Sequence, residues 1–549
     1  MIELNFNSRR SPIYATRGMV AASQPLAVAA GLEILARDGN AADAAVAVAA
    51  ALNVTEPTST GLGGDCFALY FEAETGQVYA LNGSGRAPVG LSIERIKKEG
   101  YEKELPPFHP YTITVPGACA AWCDLIDRFG RFSLSESLYP AIRLAEKGFP
   151  VTPITAYYWE RGVERQLSSS INGSELTING RSPRPGEIFR NPGLARTFYK
   201  IAEKGKLAFY QGEIAESISA SVQAAGGCLT VEDLASHIST WEEPIYTNYG
   251  DTRIWECPPN GQGLTALLAL NILEGFDLAA LKPLSAERLH LEIEALRLAF
   301  ADTRWYIADP VFSQIPVQEL ISKEYAAERR KLINPNHAKL DQPRGTPFVS
   351  SDTVYFCVVD GQGNACSFIN SNCMGFGTGI VPSGWGFSLQ NRGHNFNLDP
   401  NHPNSLAPGK RPYHTIIPSM ITTPCMDETT NEMKEELFAC YGVMGGFMQP
   451  QGHVQIVIAL INDMLDPQTA LDRPRFCITD GTAGGNVALE EGIPNHEMSV
   501  LGEMGHPVLP ISGIERSIFG RGQIILRDHA TGVLISGSDP RADGCAMCY

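Results

Sequence analysis

The strongest constraint on the fold is a pair of apolar segments joined by a short turn near the middle of the chain. Val354 to Val359 is a run of β-branched and aromatic residues, and a second apolar segment runs from Ala365 to Asn370. Between them, D-G-Q-G-N at 360–364 has the composition of a turn. The sequence therefore predicts a β-hairpin whose two strands are buried.

A hydroxyl residue, Thr353, stands where a small, polar loop enters this hairpin. The simplest interpretation is that Thr353 is the first residue of a strand, because strands often begin with Thr. The alternative is that the chain is cut between Asp352 and Thr353. The freed α-amine, whose usual pKa is about 7.7–8.0, would then act as the general base for the hydroxyl of the same residue. The residues alone do not choose between these interpretations.

Three segments around Thr353 resemble the processing site of the γ-glutamyltransferases, which are self-cleaving N-terminal nucleophile hydrolases. They are D-T-V-Y-F-C-V-V-D at 352–360, G-N-A at 363–365 and G-F-G-T-G at 375–379. Thr353 falls on the family nucleophile. The resemblance implies cleavage between Asp352 and Thr353, giving a large fragment of residues 1–352 and a small fragment of residues 353–549. The polar segment from Lys323 to Phe348 is expected to be a linker before that cut.

The resemblance continues along most of the chain. Matching segments are G-N-A-A-D-A-A at 39–45, E-P-T-S-T-G-L-G-G at 56–64, T-V-P-G at 114–117 and P-P-N-G-Q-G at 258–263. It implies an α+β fold, a four-layer αββα sandwich in which the two fragments interlock as a single domain. Helical patterns that flank two groups of strand patterns agree with this fold.

Three more positions acquire catalytic roles from the resemblance. Gly445 and Gly446 fall on the glycines of the family's oxyanion hole, where preorganised N–H donors stabilise a developing negative charge. A turn that leads into a helix is the alternative interpretation of this pair. Ser371 falls on a family Thr that hydrogen-bonds the nucleophile, and its hydroxyl can do the same.

The expected substrate site departs from the family pattern. Arg392 and Asn395 replace the family Q-x-x-D that binds the glutamate α-amine, and His414 and Thr415 replace the Ser-Ser pair that binds the α-carboxylate. A γ-glutamyl group would lose an ammonium contact and meet a cation, which costs about 2–5 kcal/mol when the contact is buried. An acyl group that ends in a bare carboxylate, such as glutaryl or an oxamate-type group, fits Arg392 better. L-Q-N-R-G at 389–393 resembles the acylase and glutathione hydrolase-like branch of the family.

Arg86 is a further candidate for substrate binding. The family carries R-E-x-A-P where this chain has S-G-R-A-P at 84–88, so Ser84 takes the position of the family Arg and Arg86 is displaced by two residues. Arg86 is either a shifted clamp for a substrate carboxylate or an ordinary surface residue.

Composition excludes several other classes. A net charge of −17 argues against a surface for nucleic acid or anionic membranes. The 13 cysteines show no disulfide-like spacing and suit a reducing compartment. No secretory leader is visible, and the apolar stretch from Ala44 to Val54 is too short to span a bilayer, which favours the cytoplasm. H-E-x-x-H and G-x-S-x-G are missing, so neither a metal nor another cofactor is expected.

The sequence thus predicts a self-processing amidohydrolase or acyltransferase that forms an acyl-enzyme on Thr353. Its expected partners are a small-molecule amide, either γ-glutamyl as in glutathione or another carboxylate-bearing acyl amide, and the two fragments of its own precursor. One alternative is an acylase for glutaryl or oxamate-type amides with little γ-glutamyl activity. An alternative of another class is an unprocessed, non-catalytic scaffold.

Overall fold

Two antiparallel sheets form the centre of the molecule. The structure is a computed structural model that describes residues 10–341, 352–426 and 433–549. Its strands are β1 (Ile13–Ala15), β2 (Met19–Ala22), β3 (Asp65–Glu72), β4 (Gln77–Gly83), β5 (Phe149–Pro150), β6 (Ile188–Phe189), β7 (Thr240–Glu242), β8 (Ile245–Tyr249), β9 (Thr252–Glu256), β10 (Asp352–Val359), β11 (Ala365–Cys373), β12 (Ser419–Met426), β13 (Met433–Met444), β14 (Phe476–Ile478), β15 (Val487–Glu490), β16 (Val508–Ile511), β17 (Arg521–Arg527), β18 (Leu534–Ser538) and β19 (Cys545–Cys548).

The predicted hairpin lies inside one of these sheets. β10 and β11 pair as expected, with Phe356 opposite Phe368, and the sheet has the order β19-β2-β10-β11-β3-β4-β7. The second sheet has the order β1-β18-β17-β13-β12-β9-β8 and packs against the first, with β10 and β11 contacting β13. Each sheet contains strands from both sides of residue 352, and strands of the two sides are hydrogen-bonded neighbours, so the two parts of the chain are interlocked.

Helices cover the outer faces of both sheets. They are α1 (Pro25–Leu35), α2 (Ala41–Thr55), α3 (Ile93–Lys98), α4 (Ala118–Phe129), α5 (Leu134–Lys147), α6 (Pro153–Gly162), α7 (Pro192–Lys204), α8 (Leu207–Tyr210), α9 (Glu213–Ala224), α10 (Val231–Ala235), α11 (Gly263–Leu273), α12 (Ala286–Tyr306), α13 (Val317–Leu320), α14 (Lys323–Arg330), α15 (Met448–Val457), α16 (Pro467–Asp472) and α17 (Asn495–Glu503). α1, α2 and α4 pack on the first sheet, whereas α11, α15 and α16 pack on the second. The predicted four-layer α+β sandwich is confirmed.

The small side chains of the Ala-rich helix α2 explain how the helical layer approaches the first sheet closely. Every residue of α2 is buried, because small side chains allow it to pack against α1 and against the hairpin strands. Asn40 and Asp43 form a capping box at its start. The carboxylate of Asp360, in the hairpin turn, accepts a hydrogen bond from the amide of Ala41 at 3.0 Å. The turn is thereby fixed to the helix.

The linker prediction is wrong for its first part. Lys323–Arg330 is helix α14, which Ser322 caps at its start, and the guanidinium of Arg330 attaches it to the end of α11 by donating to the carbonyl oxygens of Asn271 and Ile272. Residues 331–341 of the expected linker are described and contain no further helix, whereas residues 342–351 lie outside the described residues. Within the described ranges, no helix is both long and apolar enough to cross a membrane.

A glycine at the contact between the sheets provides a test of this packing. A Cβ on Gly442 of β13 would lie 2.5 Å from the ring of Tyr355 on β10. We expect Gly442→Ala to lower the free energy of unfolding by about 1–3 kcal/mol, because the buried ring has to move. Gly502 in α17 is exposed with nothing near its Cβ position, so Gly502→Ala should be neutral or slightly stabilising. Urea unfolding of both variants measures the difference, and equal effects would contradict the packing described.

Candidate active site

Thr353 lies at an irregularity in the central hairpin. The pairing register of β10 with β11 shifts between Asp352 and Val354, so that Ser371 and Asn372 together oppose Thr353. Such bulges redirect side chains and are common beside active sites. Thr353 is buried, and its Oγ1 donates to Oγ of Ser371 at 3.2 Å. The contact expected between these two hydroxyl groups is therefore present.

Arg392 connects this hydroxyl pair to the neighbouring loop. Its side chain is 0% exposed. Nη2 donates to Oγ of Ser371 at 3.0 Å, and Nη1 donates to Oγ1 of Thr415 at 2.7 Å. Nε has no hydrogen-bond partner, and no carboxylate in the described part of the chain pairs with the guanidinium. A buried cation without a counter-ion is costly, so this site is suited to an anionic ligand.

The backbone at Gly445 and Gly446 is connected to the same loop through Gln262. Nε2 of Gln262 donates to the carbonyl oxygens of Thr415, at 2.6 Å, and of Gly446, at 2.8 Å. Gly445 and Gly446 have φ angles of 137° and 62°, which favour glycine. Among the described residues, neither of their amides donates a hydrogen bond, whereas the carbonyl of Gly445 accepts from Met448 at 3.0 Å. Two N–H groups thus remain available as oxyanion donors.

His414 is held by a buried carboxylate. Its Nε2 lies 3.0 Å from Oδ2 of Asp65, and its Nδ1 accepts from the amide of Ile416 at 3.4 Å. Burial, and then the positive charge of Arg392, lower the pKa of His414 to about 3. The imidazole is therefore neutral at physiological pH and donates from Nε2 to Asp65. The neutral ring offers no positive charge to a carboxylate, and whether His414 contacts substrate stays a prediction.

Asn395 and Arg86 are not part of the hydrogen-bonded chain that runs from Thr353 to Gly446. Nδ2 of Asn395 donates to the carbonyl of Tyr413 at 3.1 Å, so it supports the segment that carries His414 and Thr415. Arg86 is half-buried and makes no hydrogen bond to a described residue through its guanidinium. Its charge contributes to the lowered pKa of Arg411, after burial. Whether either residue contacts substrate stays a prediction.

Two residues of the site were missed by sequence reasoning. Asp65 accepts from the amide of Gly85 at 3.0 Å and from Nε2 of Gln390 at 2.9 Å, besides holding His414. Gln262 joins Thr415 to the glycine turn. Both stand at the ends of glycine-rich segments that the family shares, G-L-G-G-D and P-P-N-G-Q. The signal in the sequence that could have found them is a polar residue that directly follows a glycine-containing turn and precedes an apolar segment.

The likeness to known proteins extends over the whole molecule. A gamma-glutamyltranspeptidase family model matches residues 27–549. The chain belongs to this family. The glutathione hydrolase-like YwrD proenzyme of Bacillus subtilis (strain 168) is 36% identical over 539 residues, which cover 97% of this chain and 99% of the relative. The oxamate amidohydrolase proenzyme of Klebsiella pneumoniae is 31% identical over 547 residues, covering 97% and 99%.

A solved structure is similar over almost its full length. Cephalosporin acylase from Bacillus halodurans superposes with a TM-score of 0.91 at 47% identity, covering 99% of this chain and 97% of the acylase. The family resemblance and its glutathione hydrolase-like and acylase branch are confirmed. This gamma-glutamyltranspeptidase family member is an enzyme, as are the glutathione hydrolase-like, oxamate amidohydrolase and acylase proteins to which it is similar.

Asp65 provides a test of the hydrogen-bonded support beneath the site. In Asp65→Asn, an amide NH₂ group replaces one carboxylate oxygen and faces hydrogen-bond donors, such as His414 or Gln390, that lose their acceptor. We expect the free energy of unfolding to fall by about 1–3 kcal/mol and kcat/KM to fall at least tenfold, since Thr415 and Arg392 lose their support through His414. Urea unfolding and an amidase assay measure both. Asp251→Asn, at an exposed position, is the control, and equal behaviour of the two variants would refute this role for Asp65.

Proposed function

We propose that this enzyme is a self-cleaving amidohydrolase whose nucleophile is the hydroxyl of Thr353. The buried hydroxyl pair with Ser371 and the open amides of Gly445 and Gly446 support this role. Cleavage would separate residues 1–352 from residues 353–549 and free the α-amine of Thr353. Because each sheet contains hydrogen-bonded strands from both fragments, the fragments would stay together as one domain.

Maturation and turnover use the same oxygen. In the precursor, Oγ1 of Thr353 attacks the carbonyl carbon of Asp352, and the acyl group moves from nitrogen to oxygen. Water hydrolyses the resulting ester and leaves a free α-amine on Thr353. This amine then accepts the hydroxyl proton while Oγ1 attacks a substrate amide, and it returns the proton to the departing amine. The amides of Gly445 and Gly446 stabilise the oxyanion before water releases the acyl group.

We propose that the acyl group of the substrate is a short dicarboxylic one, bound through its free carboxylate. The observation that carries this proposal is Arg392: a fully buried guanidinium with no carboxylate partner among the described residues. It donates to Ser371, which in turn contacts Thr353, so the cation lies two hydrogen bonds from the nucleophile. Glutaryl and oxamate-type amides carry a free carboxylate, which matches the charge of Arg392, only a few bonds from the amide that is cleaved. The similarity to an oxamate amidohydrolase and a cephalosporin acylase favours the same class.

Hydrolysis of γ-glutamyl amides is the second candidate. It is favoured by the likeness to a glutathione hydrolase-like proenzyme and by the fact that a γ-glutamyl α-carboxylate can also pair with Arg392. Against it, the carboxylate of Asp65 is already occupied by His414, Gln390 and backbone amides, so it does not hold an α-ammonium. With either substrate class, an amine can take the place of water and accept the acyl group from the acyl-enzyme.

We also propose that the enzyme works in a reducing compartment such as the cytoplasm. All 13 cysteines are unpaired, and most of them are buried in the core. Thiols of this kind persist where disulfides do not form.

The nucleophile can be tested on a denaturing gel. Wild-type protein should yield two fragments, the smaller of which begins at Thr353 in N-terminal sequencing. Thr353→Ala should remain a single chain without amidase activity, because it lacks the attacking oxygen. Thr303→Ala removes another buried hydroxyl, on α12, and should be cleaved normally. An intact wild-type chain, or cleavage of Thr353→Ala, would refute the proposal.

The acyl specificity can be tested with anilides of three acids. Cleaved wild-type enzyme should prefer glutaryl anilide to γ-glutamyl anilide. Arg392→Gln should lower kcat/KM for glutaryl anilide by about 30- to 5,000-fold, corresponding to the cost of about 2–5 kcal/mol for removing a buried charged partner. The rate for the uncharged butyryl anilide should change far less.

Arg86→Gln is the matched control for this experiment. A larger loss in Arg86→Gln than in Arg392→Gln would assign the carboxylate to Arg86. A clear preference of the wild-type enzyme for γ-glutamyl anilide would show that the proposed acyl class is wrong. Cleavage of each variant is verified on a gel before the assay, so that a failure of maturation is not taken for a loss of binding.

A further inference from the structure

A second cluster of polar side chains lies on α12, outside the hydrogen-bonded chain that contains Thr353. His290 and Glu294 are one helical turn apart and point to the same side of α12. His506, in the turn between α17 and β16, faces them. One nitrogen of each imidazole and one oxygen of the carboxylate all lie within 4.8 Å of one another, and all three residues are buried. Two imidazoles and a carboxylate are a common ligand set for zinc.

The contacts of His290 fix which of its nitrogens is available. Nε2 lies 2.7 Å from the carbonyl oxygen of Asn334, which can only accept, so Nε2 carries the proton. Nδ1 therefore has a free lone pair and lies 2.8 Å from Nε2 of His506. Metal-binding imidazoles are usually braced in this manner, with the far nitrogen donating to a backbone carbonyl.

The other two residues have polar atoms without hydrogen-bond partners. In the described part of the chain, neither Nδ1 of His506 nor Oε1 of Glu294 takes part in a hydrogen bond, although both atoms are buried. Nε of Arg297 lies 3.4 Å from Oε1 of Glu294, and its Nη1 donates to the carbonyl of Ala483. The charge of this guanidinium opposes the binding of every divalent cation alike. Ca²⁺ prefers oxygen ligands, so the two imidazole nitrogens are what favours a transition metal.

We propose that His290, Glu294 and His506 bind one divalent transition-metal ion of the zinc class. Nδ1 of His290, Nε2 of His506 and Oε1 of Glu294 are the ligands, with water in the fourth position. Zn–N bonds of about 2.0–2.1 Å separate tetrahedral ligands by about 3.3 Å, so the two imidazoles move apart by about half an ångström. The proton that His506 donates from Nε2 without metal moves to Nδ1.

The site would fasten the end of the large fragment to the core. Besides the contact of His290 with Asn334, Oε2 of Glu294 accepts from the amide of Lys339 at 3.2 Å. The amide of Ala338 donates to the carbonyl of Met504, close to His506, at 2.7 Å. The ion would thus join α12, the turn after α17 and the segment 334–339, which precedes the proposed cut. Asn334 and Lys339 are exposed, so a small displacement of this segment gives the ion access.

Metal binding can be measured without any assay of activity. Protein stripped with a chelator and dialysed is titrated with Zn²⁺ by calorimetry and with Co²⁺ by absorption spectroscopy. We expect one ion per chain, a zinc-dependent rise in Tm, and a tetrahedral cobalt spectrum that lacks a thiolate charge-transfer band. The spectrum distinguishes this site from binding by any of the 13 cysteines.

Variants then assign the site. Glu294→Gln and, independently, His506→Gln should lose the stoichiometric ion and the rise in Tm, whereas His402→Gln, another His that lies away from the cluster, should bind as the wild type does. Two separate variants keep the test valid if one of them fails to fold, which circular dichroism in chelator reveals. Failure of the wild type to bind, retention of the ion by both folded variants, or a thiolate band in the cobalt spectrum would each overturn the proposal.

Discussion

Main-chain pairing between β10 and β11 is the interaction on which the geometry of the candidate active site depends. Each strand is paired on its other side as well, β10 with β2 and β11 with β3, so neither strand can slip alone without breaking two ladders. In this register Ser371 has Thr353 on one side and Asp65 of β3 on the other. A shift of one residue would turn these side chains to the opposite face of the sheet.

The electrostatics of the site follow from the same arrangement. Asp65 is fully occupied by neutral donors, and His414 stays uncharged because burial and Arg392 both oppose its protonation. Arg392 is a fully buried cation for which no described residue supplies a carboxylate partner. The enzyme would therefore take its missing negative charge from the ligand, which couples affinity to the presence of a free carboxylate on the acyl group.

The hairpin, the four layers and the contact of Thr353 with Ser371 could be predicted because each leaves a local pattern: apolar runs, a turn, or a family motif. The support beneath the site could not, because Asp65 and His414 are 349 positions apart and meet only in the folded sheets. That His414 contacts substrate stays a prediction, whereas its hydrogen bond to Asp65 is visible only in the folded structure. Lys323–Arg330 was expected to be a linker from its polar composition, but Arg330 satisfies carbonyl groups at the end of a distant helix, which composition does not reveal.

The sharing of both sheets between strands that precede and follow residue 352 has a consequence for the lifetime of the folded state. An uncut chain that unfolds can return by a unimolecular process. After a cut, the two polypeptides would have to find each other again, so recovery would depend on protein concentration and would be slow when the enzyme is dilute. Maturation would then make unfolding effectively irreversible. The lifetime of the processed enzyme would be set by the height of its unfolding barrier and not by its equilibrium stability.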